Sequence, residues 1–282
     1  MRVTFLGTAA ATSYPLAFCR CTFCNTARER GGADLRRRSS VIINRDLLID
    51  MGPDIVSASF LFRKSIADVR YLLQTHSHSD HFDPQVFTTR VPDYRGVNTP
   101  RLQVYASAKT LAKMAEMVKN EGYVDNFLES TEQTKMNIEV NAVTPFDSVQ
   151  IGNYEVTPFP ANHDTTVDSL LWSITEGLFT VLYATDTDTI PEVTWKGFGE
   201  KKLKFDVVVP DHTYGPDADG SAHLNANRFV QQIQRMKAEQ LLSESARILA
   251  THISHEGNPP YAELSEYAAR FGYEIAYDGL VI

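Results

Sequence analysis

Thr75-His76-Ser77-His78-Ser79-Asp80-His81 follows directly on the apolar run 69–73 and places four metal-binding side chains within six residues, 76–81. A loop leaving a strand end can turn such side chains into one cleft. Imidazoles mixed with a carboxylate suit zinc, manganese or iron rather than calcium, which takes an all-oxygen shell. Taken alone, the stretch could also be a histidine-rich surface loop. Three more positions weigh against that. His163 follows the apolar run 156–160, Asp186 follows 182–184, and His252 follows 248–250. A single histidine or aspartate after a strand is more often a turn or capping residue. Here three separate runs each end on a ligand type, as the first does.

Outward from these positions, β-rich runs bounded by glycine or polar turns predict strands over 2–7, 40–50, 69–75, 102–106, 137–144, 147–159, 170–185, 205–210, 247–251 and 273–277. Helical patterns cover 53–63, 107–120, 225–242 and 261–271, the first with proline in its opening turn. Interleaving in two halves predicts an α/β chain of sheets sandwiched by helices. Periodicity alone does not separate a two-sheet sandwich from a doubly wound sheet. No repeat or Gly/Ser linker divides the sequence, so residues 1–282 read as one domain, with 84–135 as an inserted cap over the cleft.

The bulk numbers bound the rest. A hydrophobic fraction of 43% and a charged fraction of 22% belong to a soluble globular chain. Lysine and arginine number 27 against 35 acidic residues, and the net charge of -8 argues against sequence-independent binding to nucleic acid or anionic membrane. The N-terminus lacks the basic stretch and apolar core of a secretory signal, so a cytoplasmic protein is expected. Cys19, Cys21 and Cys24 are too few and too close for a disulfide framework, and in a reducing compartment they read as three soft ligands for a structural zinc. His255, three residues past His252, is the candidate fourth. Thiols without metal are the alternative.

The motif His-x-His-x-Asp-His at 76–81, with His163, Asp186 and His252 on later strand ends, resembles the signature of the metallo-β-lactamase superfamily. The resemblance implies an αβ/βα four-layer sandwich with two divalent ions, Mn2+ or Zn2+, at one edge. It implies one ion on His76, His78 and His163, the other on Asp80, His81 and His252, and Asp186 bridging both. Asp80 could also orient the attacking water. The Cys-x-Cys-x-x-Cys element and the His252/His255 pair further resemble the PhnP-like subgroup, phosphodiesterases acting on cyclic ribose phosphates. That likeness implies that His223 donates a proton to the leaving group, where position alone would equally make it a helix-start histidine, and it implies a homodimer. Hydrolysis of a small phosphodiester is therefore expected. A thioesterase, an RNA-processing nuclease and a cofactor-biosynthesis protein of the same fold are the alternatives. His78 argues against the redox diiron relatives, which carry glutamate there. His212 reads as structural support for the cleft, and Arg36, Arg37 and Arg38 as a solvated charge run that could instead face a phosphate.

Overall fold

Alternation along the strands sets the layers. In the run 179–184, Val181 and Tyr183 join a core with Trp172 and Leu73, whereas Leu182 and Ala184 face the opposite way, against Trp195 and Phe198. In the run 47–49, Leu47 and Ile49 enter the same central core, while Leu48 packs outward with Ile55 and Phe87. A strand with both faces apolar must be covered on both, which gives two sheets face to face and helices on the outside. The computed structural model describes residues 1–282 except 95, 97, 217 and 219.

The first sheet runs β1 (Val3–Gly7), β2 (Ser40–Ile43), β3 (Leu47–Ile49), β4 (Tyr71–Leu73), β5 (Leu102–Ala106) and β6 (Ile138–Ala142), antiparallel up to β3 and parallel from β3 onward. The second comprises β7 (Val149–Ile151), β8 (Tyr154–Pro160), β9 (Leu170–Glu176), β10 (Phe179–Ala184), β11 (Phe205–Pro210), β12 (Leu242–Ala250) and β13 (Glu274–Ile275), side by side in that order. Here β7 to β10 alternate in direction and β10 to β13 are parallel. Helices α1 (Thr22–Arg30), α6 (Glu192–Glu200), α7 (Ala226–Ala238) and α8 (Tyr261–Ala269) cover the second sheet through Cys24, Trp195, Phe229 and Leu264. Helices α2 (Ile55–Leu61), α3 (Pro84–Thr88), α4 (Ala108–Asn120) and α5 (Ser130–Met136) cover the first through Ile55, Phe87, Leu111 and Met136. This is the expected four-layer sandwich.

Three expectations shift. The runs 40–50, 147–159 and 170–185 are each a hairpin rather than one strand, reversing for instance at Asn44 (φ 52°) and Gly177 (φ 63°). The helix expected to reach 242 ends at Ala238, because Gln240 turns left-handed (φ 56°) and Leu242 already pairs with Phe205. The stretch 84–135, expected as a cap, supplies β5 to the interior of the first sheet. Its Phe87, Leu111, Met114, Val118 and Phe127 lie in the outer core of that sheet. Its apolar side chains are thus used against the sandwich and not over the cleft.

Candidate metal centre

The parallel strands of both sheets deliver their C-terminal ends to one edge. The loop after β4 is shaped by buried contacts: Gln74 Nε2 stands 3.0 Å from Asp50 Oδ1, 2.8 Å from the His76 carbonyl and 2.9 Å from the His81 carbonyl. It rests on Gly52, where a Cβ would lie 2.1 Å from the Asp80 carbonyl oxygen. Asp50, Asp186 and His252 all hold left-handed backbone, with φ of 60°, 49° and 59°. Non-glycine residues adopt that region at a cost of about 1–3 kcal/mol each and cluster where geometry serves function.

His76, His78 and His163 bring one ring nitrogen each into a common space, and Asp80, His81, Asp186 and His252 form a second such group beside it. His163 Nε2 is 3.3 Å from His78 Nδ1 and 3.7 Å from Asp186 Oδ1. His252 Nε2 is 3.1 Å from Asp186 Oδ2 and 3.7 Å from Asp80 Oδ2, and His81 Nε2 is 3.0 Å from Asp80 Oδ2. Two donors on one tetrahedral ion with bonds of 2.0–2.2 Å lie about 3.3–3.6 Å apart. Most of these separations are close to that. His76 Nε2, His81 Nε2, Asp186 Oδ2 and His252 Nε2 are buried and lack any hydrogen-bond partner. Although His81 Nε2 lies 2.7 Å from Asp186 Oδ2, the pair lacks hydrogen-bond geometry. Four buried orphan atoms on one spot would be costly in a closed core, and divalent cations there would satisfy all four. The donor set therefore fits the metals that the sequence implies.

Electrostatics agree. Burial would depress the His252 imidazolium, but Asp186, then Asp80, lift it to about 10. Burial likewise opposes the charge on His81, and Asp186, Asp80 and Asp50 together hold it well above its ordinary value. Asp186 is driven well below the carboxylate range by His252 and His81, against the effect of its burial. The site is a concentration of negative charge that calls for cations.

Two carboxylates that sequence reasoning did not single out hold the histidines from behind. Asp50, fully buried at the end of β3, places Oδ2 2.6 Å from His81 Nδ1, and Thr75 Oγ1 spans from Asp50 to His76 Nδ1 at 2.9 Å. Asp211, fully buried at the end of β11, lies with Oδ2 3.4 Å from His252 Nδ1 and 3.0 Å from His223 Nδ1. Thr213 Oγ1 donates to Asp211 and stands 2.8 Å from His252 Nδ1. Such partners fix the tautomer and orientation of a metal-binding ring. The signal was present: both follow apolar strand runs, as His163, Asp186 and His252 do.

His223 sits over the second group, its ring stacked on His252 at 5.3 Å and 18° and 5.0 Å from the His163 ring. With Nδ1 on Asp211, its Nε2 is left for other partners. Burial disfavours its charged form, but Asp211 outweighs burial and raises it. His212 points elsewhere, into the outer core, with Nε2 3.0 Å from Tyr273 Oη and its ring against Phe229. Burial lowers it to about 4. The arginine run is not solvated as expected. Arg36 is buried and donates to Thr8 and to the Ala276 carbonyl, Arg37 pairs with Asp278 at 3.3 Å, and Arg38 with Asp54 at 2.7 Å.

Cys19, Cys21, Cys24 and His255 also converge, on the far side of the 252–255 loop. His255 Nδ1 is 3.8 Å from Cys19 Sγ and 3.7 Å from Cys21 Sγ, near the ~3.6 Å expected between sulfur and nitrogen on one tetrahedral zinc. The Cys21 and Cys24 backbone N–H groups point at Cys19 Sγ and Cys21 Sγ, each at 3.4 Å. The Cys21 N–H pushes the Cys19 thiol down, while burial pushes Cys24 up to about 12.

A two-sheet sandwich with histidines and aspartates at one edge defines a metallo-β-lactamase-fold hydrolase. The family model of the beta-lactamase superfamily domain matches residues 45–253, and the chain belongs to that superfamily. Its fold is shared with a diphosphatase from the PhnP family at TM-score 0.74 and 22% identity, covering 100% of this chain and 97% of that one. Zinc-bound PqqB from Methylobacterium extorquens superposes at TM-score 0.71 with 18% identity, over 100% and 99% of the two chains. The short form of human tRNase Z does so at 0.66 with 16% identity, over 100% and 98%. No curated protein matches the sequence. Among the described residues no helix is long and apolar enough to cross a membrane.

Proposed function

We propose that the chain is a metal-dependent phosphodiesterase acting on a small phosphodiester, a cyclic ribose phosphate being the first substrate to test. His76, His78 and His163 would hold one divalent ion and Asp80, His81 and His252 a second, with Asp186 shared, and Cys19, Cys21, Cys24 and His255 would hold a structural zinc. Zinc or manganese bound at the edge supplies Lewis-acid polarisation of the phosphate and a lowered pKa for water. Asp50 and Asp211 hold the ligand rings in place, and Asp80 orients the attacking water. Three unpaired cysteines suit a reducing compartment, the cytoplasm.

The observation that carries the reading is the pairing of His223 with Asp211 beside the ligand groups. Asp211 takes Nδ1 and favours the protonated ring, so Nε2–H is the proton that His223 can donate. An alkoxide leaves poorly without a proton, so a dedicated donor serves a phosphodiester of an alcohol. A thioester releases a thiolate of pKa about 8.5, which needs no donor. A PhnP-family diphosphatase shares the fold, and its name places phosphorus–oxygen bond hydrolysis among the chemistries this fold supports. The test is metal content per chain with turnover of bis(p-nitrophenyl) phosphate, 2′,3′-cyclic AMP and an acyl thioester, in the wild type and His78→Ala. About three metals per chain and diester cleavage lost in the variant are expected. Thioester turnover without diester cleavage would overturn the proposal.

A further inference from the structure

Arg228, in the first turn of α7, joins loops that otherwise belong to different strands. Its Nη1 lies 2.6 Å from Asp188 Oδ1 and 2.7 Å from Asp188 Oδ2, and its Nη2 donates to the Gly220 carbonyl at 2.7 Å. Asp188 stands two residues past Asp186, and Gly220 three before His223. The Asp188 N–H donates to the Asn162 carbonyl at 2.8 Å, and the Asn162 N–H donates to Thr187 Oγ1 at 2.9 Å. His163 is the next residue, and its Nδ1 is 3.3 Å from the Ala222 carbonyl. The loops carrying His163, Asp186 and His223 are therefore tied together, and the Asp188–Arg228 pair is a second fastening between the last two, beside Asp211, which binds the Asp186 N–H, His223 Nδ1 and the Leu224 N–H.

We propose that Arg228 is a positioning residue for leaving-group protonation: by gripping Asp188 and the Gly220 carbonyl at once, it fixes where His223 Nε2 stands relative to Asp186. The inference rests on the reading of His223 as proton donor. It gives the pair a role in substrate choice, because only a diester with a poor leaving group needs that proton. The residue type matters. A planar guanidinium holds a carboxylate and a carbonyl at a fixed angle, whereas an ammonium is a point charge on a flexible stem and cannot hold both in that geometry. With side-chain exposures of 28% and 20%, Arg228 and Asp188 are partly screened from water, so the bridge is better ordered than an exposed surface pair. His223 keeps Asp211 on Nδ1 when Arg228 is changed, so the expected loss is graded.

The experiment compares kcat on 2′,3′-cyclic AMP, whose leaving group is a ribose alkoxide, with kcat on bis(p-nitrophenyl) phosphate, whose leaving group is a stable phenolate. Metal content and Tm are measured in parallel. Arg228→Lys should lower the ratio of the two kcat values about tenfold or more, with KM and metal content near wild type, since misplacing a reacting group by about 1 Å costs up to about 10²-fold. His223→Ala, the control for the donor itself, should lower the ratio by about 10²-fold or more. If His223→Ala lowers the ratio and Arg228→Lys does not, the inference fails and the donor reading stands. If neither moves it, the donor reading fails and takes the inference with it. An equal loss on both substrates, or loss of metal, would make Arg228 merely structural. Should Arg228→Lys not fold, Asp188→Asn loosens the same grip from the other side, and an unchanged ratio there overturns the inference.

Discussion

Asp211→Asn changes one atom in a buried carboxylate that every neighbour addresses with a donor. Its Oδ1 accepts from the Thr213 N–H at 3.0 Å, the Thr213 hydroxyl at 2.9 Å and the Leu224 N–H at 3.2 Å. Its Oδ2 accepts from the Asp186 N–H at 3.1 Å and faces His223 Nδ1 at 3.0 Å. Placed at either position, the new amide nitrogen meets two N–H donors with a donor of its own. Each buried donor left without an acceptor costs about 1–3 kcal/mol, so the substitution should destabilise by about 2–6 kcal/mol, a large part of the ~5–15 kcal/mol that holds a domain folded. An unfolding entropy of about 2.1 cal/mol/K per residue, taken over 282 residues, converts this to a fall in Tm of about 3–10 °C. Activity on a cyclic phosphate should drop about 10–100-fold as well, because His252 and His223 lose the partner that orients them. Thermal melts with metal present, followed by steady-state kinetics, read both. A Tm within about 1 °C of wild type would show that these donors have other acceptors, and the support assigned to Asp211 would be wrong.

Metal analysis separates the two clusters: Asp186→Ala should empty the histidine–aspartate groups and leave the cysteine site filled, whereas Cys21→Ser should chiefly lower folding stability and keep the catalytic metals. Equal losses in both variants would contradict that division. Gly52→Ala should displace the motif loop, since its Cβ would sit 2.1 Å from the Asp80 carbonyl oxygen. About 1–3 kcal/mol of stability and up to about 10²-fold in kcat should go with it, and an unchanged kcat would show that the loop does not depend on that contact. Burial pushes Asp278 up to about 6, against hydrogen bonds from the Arg37 N–H and the Thr8 hydroxyl. A raised carboxyl favours the folded state while protonated, so its contribution is complete below about pH 4 and is lost as pH rises to about 6, by about 3 kcal/mol. Urea titrations at both pH values should show a pH dependence in the wild type that differs from that of Asp278→Asn by about this amount; identical pH dependence in the two would refute it.

The sequence made legible what is local. Four ligand side chains in 76–81 need only a loop, and the apolar runs before His163, Asp186 and His252 mark strand ends, while the resemblance to the superfamily motif is what joined all seven at one edge. The helix end at Ala238 was not legible, because glutamine carries no C-cap signal and Gln240 turns left-handed only once Leu242 is held by Phe205. The 84–135 stretch misled for a related reason. Its polar residues suggested a cap, but what decides its place is the pairing of β5 between β4 and β6, which composition does not encode.

Charges were harder still, because a charge is read from its partner and the partner lies far along the chain. Arg36 looks solvated beside Arg37 and Arg38, yet its guanidinium meets the Ala276 carbonyl 240 residues away. Asp50 looks like a turn residue after β3 until His81, 31 residues on, presents Nδ1 to it. Asp211 stood next to a histidine in Asp211-His212-Thr213, and the histidine drew attention as the usual ligand type. The fold reverses the two, burying His212 among aromatics and turning Asp211 towards His252 and His223. A buried carboxylate is costly unless donors surround it. Asp211 has backbone, hydroxyl and imidazole donors on both oxygens, and His223 is the most exposed of them, at 18% side-chain exposure. The expense of burying Asp211 is thus met largely by groups that fix the site, which is why its removal should be felt at His252 and His223 before it is felt in the sheets.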